Sequence, residues 1–93
     1  MSLVQKIFIK VNSFNQVSIK LENHTIIPIN IYEHDTEKNY IYCVFVNFIP
    51  NDIITFIIDG ESVEYQFESN YSTEINLQLE WNEEMCDMIL KKV

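Results

Sequence analysis

The chain has 93 residues, a formal net charge of −8 with fourteen acidic side chains against six basic ones, and no arginine. That length fits one domain, expected over residues 1–93. The charge argues against direct nucleic-acid binding, because affinity for phosphates comes from lysine and arginine. At 47% hydrophobic and 13% aromatic the chain has apolar surface for a modest core and is not of the disordered class.

Leu3 to Val11 alternates, with Ile7, Ile9 and Val11 on one face and Lys6, Phe8 and Lys10 on the other. Asn12-Ser13-Phe14-Asn15 reads as a turn. Gln16 to Glu22 alternates again, with Val17, Ile19 and Leu21 inward, so the two runs suggest a hairpin. Asn23-His24-Thr25 turns the chain into a third strand, Ile26 to Tyr32, with Ile27, Ile29 and Ile31 on one side. Pro28 cannot donate to a ladder and marks that strand as an edge or a bulge. Glu33 to Asn39 reads as a charged loop. Tyr40 to Ile49 is apolar on both faces apart from Asn47, which suggests a central strand covered on both sides.

The strongest local signal is Ile53 to Phe67, a hairpin closed by Asp59-Gly60. A two-residue type I′ turn needs positive φ at both central positions, and Asp-Gly is among the best pairs for it. The turn fixes the register, pairing Ile58 with Glu61, Phe56 with Val63 and Ile54 with Tyr65. One face then carries Ile54, Phe56, Ile58, Val63, Tyr65 and Phe67, and the other carries Ile53, Thr55, Ile57, Ser62, Glu64 and Gln66. Thr73 to Trp81 alternates with Ile75, Leu77, Leu79 and Trp81 inward. The last segment changes period. Asn82 suits a helix N-cap, Glu83 and Glu84 suit a first turn, and Lys91 and Lys92 suit a last turn. Met85, Cys86, Ile89, Leu90 and Val93 gather at helical spacing. The expectation is a mainly β (α+β) protein: about seven antiparallel strands in a curved sheet or small sandwich, with one short C-terminal helix packed on it.

Cys43 and Cys86 are too few for a zinc site without histidine, and Cys43 reads as a buried thiol. Glu33, His34, Asp35 and Glu37 could hold a metal in principle, but on a charged loop they read as solvated, so no metal and no cofactor is expected. The opening residues lack a leader-peptide core, and no apolar run approaches the ~20 residues of a spanning helix. A cytoplasmic protein without membrane contact is expected, acting in the host cell cytoplasm if phage-encoded.

The net charge is confined to one half. Up to Ile49, four lysines balance four acids. From Pro50 onward, Asp52, Asp59, Glu61, Glu64, Glu68, Glu74, Glu80, Glu83, Glu84 and Asp87 face only Lys91 and Lys92. A carboxylate surface of this kind either solubilises or docks on a cationic protein, with salt-sensitive affinity. Nucleophile motifs and glycine-rich phosphate loops are absent, which argues against an enzyme.

The leading expectation is a small acidic binding protein. It would act as an inhibitor or decoy of a basic, nucleic-acid-handling protein, in the manner of phage anti-defence or anti-CRISPR proteins, or as a toxin-neutralising immunity protein. Its partner would be a nuclease, a defence effector or a toxin, contacted through Glu61, Glu64, Glu68, Glu74, Glu80, Glu83, Glu84 and Asp87. The alternative is a structural or assembly protein, a virion component or homo-oligomer such as a homodimer. It rests on apolar residues at outward positions: Phe8, Tyr32, Tyr40, Tyr42 and the second face of the Tyr40–Ile49 strand.

Overall fold

In a computed structural model the protein is described over residues 3–12, 15–34 and 37–93, with side chains described outside 29–39. Among the described residues there are nine strands and no helix: β1 (Val4–Asn12), β2 (Ile19–Leu21), β3 (His24–Ile26), β4 (Pro28–His34), β5 (Glu37–Asn47), β6 (Ile53–Ile58), β7 (Glu61–Gln66), β8 (Glu74–Asn82) and β9 (Asp87–Lys92). They form a five-stranded sheet in the order β4-β5-β1-β8-β9 and a four-stranded sheet in the order β3-β2-β6-β7.

Both sheets contribute to one core. Ile7, Ile9 and Val11 from β1, Tyr42 and Val44 from β5, and Ile75, Leu77 and Leu79 from β8 come from the larger sheet. Ile19, Ile26, Phe56, Ile58, Val63 and Tyr65 come from the smaller, and Phe67 follows it. Alternation along each strand does this sorting, since successive side chains point to opposite faces. At one end of the layers Phe48 packs edge-on to Phe67 and to Tyr71, each at 5.3 Å between ring centres. The Tyr71 hydroxyl donates to the carbonyl of Val4 at 3.0 Å, tying the loop after β7 to the start of β1.

The Asp59-Gly60 hairpin has the predicted register throughout, from Ile58↔Glu61 to Ile53↔Gln66. Its turn has φ of 50° at Asp59 and 85° at Gly60, the positive pair that a type I′ turn requires. A Cβ at Gly60 would meet no atom within 4 Å. Gly60→Ala therefore costs only the backbone penalty of a left-handed L-residue, about 1–2 kcal/mol. A urea midpoint lowered by that amount with unchanged m checks this; a larger loss would mean that the turn packs against something.

Several other expectations are corrected. The C-terminal segment is not a helix. It turns at Glu83–Cys86 and returns as β9 antiparallel to β8, with Leu79↔Leu90 and Trp81↔Met88 paired. A lone helix would have left the outer edge of β8 unpaired, and β9 covers it. β1 and β2 do not form a hairpin. The chain crosses between sheets after β1, which pairs antiparallel with β5 and parallel with β8. The sheet is thus not wholly antiparallel, and the strands number nine among the described residues rather than seven. Residues 33–39 are not simply a loop, since β4 runs to His34 and β5 begins at Glu37. Pro28 does lie in an edge strand. Ile27 falls between β3 and β4 and is exposed.

β5 is covered on one face only. Tyr42 and Val44 are buried and Tyr40 packs against the core, whereas Phe45 is exposed on the other side. Tyr40 and Tyr42 are therefore core residues and not outward ones. Tyr32 lies outside the described side chains. Tyr42 is fully buried, and its hydroxyl donates to the Val17 carbonyl at 2.6 Å and accepts from the Val17 amide at 3.1 Å. This pair fastens the segment that crosses between the sheets.

Burial is the main cause that raises the pKa of Tyr42. Burial also raises that of Tyr65, where Lys92 partly opposes it. Unfolded tyrosine ionises near 10.0, while these two stay protonated to higher pH. Their contribution to stability is complete below pH 10 and is lost as pH rises beyond it. Urea midpoints should therefore fall steeply above about pH 10, and less so in Tyr42→Phe and Tyr65→Phe. Equal slopes in all three proteins would count against burial as the cause.

Candidate functional site

β1 and β8 run in parallel from the aromatic end of the layers toward the opposite end, which carries two acidic turns. The first is Asp59-Gly60, between β6 and β7. The Asp59 carboxylate accepts from the Ser18 amide at 2.8 Å, and the Asp59 amide donates to the Ser18 carbonyl at 2.8 Å. This exchange holds the turn against the crossing segment before β2. The second is Glu83–Cys86, between β8 and β9. Asn82 Oδ1 accepts from the Met85 amide at 3.0 Å, the Cys86 thiol donates to the Glu83 carbonyl at 3.4 Å, and Asp87 Oδ1 accepts from the Met88 amide at 2.8 Å. Cys86 has φ of 50°, which reverses the chain into β9.

Asp59, Glu61, Leu79 and Met88 line one hollow with Val11, Asn12, Val17 and Ile58. Met88 sits opposite Trp81, and Asp87 opposite Asn82. The β6–β7 turn and the β8–β9 hairpin therefore border the same hollow. Together they carry Asp59, Glu61, Glu83, Glu84 and Asp87, all exposed, with exposed Glu80 two residues before Asn82. Trp81 occupies an inward phase after Leu79 yet is 56% exposed, and Met85 in the turn is 68% exposed. A large aromatic ring and a flexible thioether thus stand among carboxylates. That combination suits a cationic partner, since lysine and arginine bind both carboxylates and indole faces.

The eight carboxylates expected to act together divide into groups. Glu61, Glu80, Glu83, Glu84 and Asp87 belong to this acidic end. Glu64 is on the outer face of the smaller sheet, beside Thr55. Glu74 is on the outer face of the larger sheet at the other end of β8, beside Lys6. Glu68 follows β7, and its Oε1 accepts from the Lys92 ammonium at 2.9 Å, which raises the lysine pKa. No single surface joins Glu64, Glu68, Glu74 and Glu80. Alternation along a strand predicted which of them point outward, but not which sheet each strand would join.

Comparison with protein-family models, curated proteins and solved structures finds no match.

Two residues of the acidic end were not apparent as site residues. Asp59 reads as a turn former, and Trp81 reads as the last inward position of its strand. The available signal was their setting. Trp81 directly precedes Asn82-Glu83-Glu84, a polar run that takes it out of the covered part of the strand. Among the described residues no group of three or more His, Cys, Asp and Glu side chains could hold a metal ion. The Glu33, His34, Asp35 and Glu37 set lies outside the described side chains. No helix among the described residues is long and apolar enough to cross a membrane.

Proposed function

We propose that this is a small acidic binding protein that inhibits or acts as a decoy for a basic, nucleic-acid-handling protein, or neutralises a cationic toxin, in the cytoplasm. The observation that carries this reading is that the β6–β7 turn and the β8–β9 hairpin border one hollow, lined by Asp59, Glu61, Leu79 and Met88, and that exposed Trp81, Glu83, Glu84 and Met85 follow on the β8–β9 hairpin. Carboxylates steer a cationic partner and speed encounter, with a range set by a Debye length of about 8 Å at physiological salt. A desolvated indole then supplies the short-range anchor, as tryptophan does at many interface hot spots. The reading involves no catalysis, no cofactor and no nucleic acid bound directly.

The test is calorimetry against a panel of basic nucleases, defence effectors and cationic toxins at low and high salt. The reading expects one partner whose affinity falls steeply as salt rises. Binding that is indifferent to salt, or confined to proteins without basic grooves, would overturn it.

A further inference from the structure

The outer face of the larger sheet is a second surface, which adjoins the acidic end at Glu80 and Asp87. β1 is the middle of its five strands, and Phe8 is the middle residue of β1, so Phe8 marks the centre of the face. The register places Cys43 and Asn76 on either side of it, Phe45 beside Lys6, and Ile41 beside Lys10. Val4, Phe45 and Val93 are 51%, 64% and 79% exposed. Phe8, Ile41, Asn76 and Val93 help to line a mainly apolar hollow of about 290 Å³. The core lies on the other side of this sheet, and among the described residues no second layer covers these side chains.

Two observations select the occupant. The first is charge. Among the described side chains this face carries Lys6, Lys10 and Lys91 against Glu74, Glu80 and Asp87, a balance of charge, although the whole chain has a net charge of −8. It is a surface on which two copies can meet without the like-charge repulsion that the acidic end would impose, and lysines and glutamates can pair across it. The second is area. Strands of 6 to 11 residues at about 3.3 Å per residue, five of them about 4.8 Å apart, make a face on the order of 600 Å², or roughly 1,200 Å² over two copies. That reaches the lower bound of stable specific interfaces, about 1,200–2,000 Å².

We propose that the protein is a homodimer in which the outer faces of the two five-stranded sheets pack on each other around Phe8, Ile41, Cys43 and Phe45. Such an isologous interface presents the same patch from both copies and closes on itself. It leaves Asp59, Glu61 and Trp81, which are not on the outer face of this sheet, open in each copy, so a dimer would offer a basic partner two docking ends.

Sedimentation equilibrium on the full chain tests this. The native protein should sediment at twice its 11.1 kDa chain mass. Phe45→Asp should return it to the single-chain mass with an unchanged circular dichroism spectrum, because Phe45 is exposed in the isolated fold. Ile53→Asp, at a half-exposed position on the outer face of the other sheet, should leave the dimer intact. Thiol alkylation gives an independent reading on the native protein: Cys43 should react slowly, exposed Cys86 quickly, and Phe45→Asp should speed Cys43 alone. A native protein that sediments at 11.1 kDa, or a dimer that survives Phe45→Asp but is lost in Ile53→Asp, would overturn the proposal.

Discussion

Phe56→Ala should destabilise the protein by about 3–5 kcal/mol, the range for deleting a fully buried aromatic ring. Phe56 is 0% exposed on β6, within the core that both sheets share. Its neighbours across the hairpin, Val63 and then Tyr65, are held by a register that the Asp59-Gly60 turn fixes, so they cannot slide to fill the space. The cost therefore includes a cavity as well as lost transfer energy. For a domain of this size it removes a large share of a total of about 5–15 kcal/mol. The adjacent Thr55 points to the opposite, exposed face, and Thr55→Ala should stay within about 0.5 kcal/mol. Chemical denaturation of the two variants side by side checks this. Similar losses at both positions would mean that the two faces of β6 are not distinguished as described.

Trp81→Ala should weaken binding to the basic partner by about 2 kcal/mol, or roughly 30-fold, while barely changing stability. Leu79, one inward position earlier, is 8% exposed, and Trp81 is 56% exposed, so truncating the indole leaves little cavity. On docking, the same ring would be removed from water beside Glu80, Glu83, Glu84 and Asp87. An arginine or lysine placed against its face gains a cation–π contact on top of the charge pairing. Leu79→Ala should show the reverse pattern, a clear stability loss with little direct effect on affinity. A Trp81→Ala variant that binds as tightly as the native protein would remove the anchor from the proposed site.

The parts of the fold that could be read from the sequence were those that local chemistry decides. The Asp59-Gly60 turn leaves one register for β6 and β7, and each predicted pair is present. Pro28 marked an edge strand because a missing amide cannot be hidden in a ladder. The errors arose where a local signal has two solutions. Asn82 does accept a hydrogen bond from the Met85 amide three residues on, as an N-cap would, but positive φ at Cys86 ends the turn after one cycle. Beyond it, Met88 and Leu90 alternate with Ile89 and Lys91. Over six residues that pattern fits period two as well as it fits a helical stripe. Pairing between distant segments had no local signal. Nothing near β1 announces β8 as its parallel neighbour, and that pairing decides which acids share a surface. The acidic composition was evident, but its division into one acidic end and scattered outward glutamates was not.

Position, and not number, decides what the carboxylates do, so the most direct measurement compares two variants of equal net charge. One variant reverses Glu80, Glu83, Glu84 and Asp87 to lysine. A second reverses Glu64, Glu68, Glu74 and Asp52, which lie away from the two turns. Both change the net charge equally. Titrating the basic partner against each at fixed salt should show affinity lost by about 100-fold or more in the first and nearly retained in the second, because only desolvated, close charges contribute strongly at an interface. Equal losses in the two variants, or a greater loss in the second, would contradict the account.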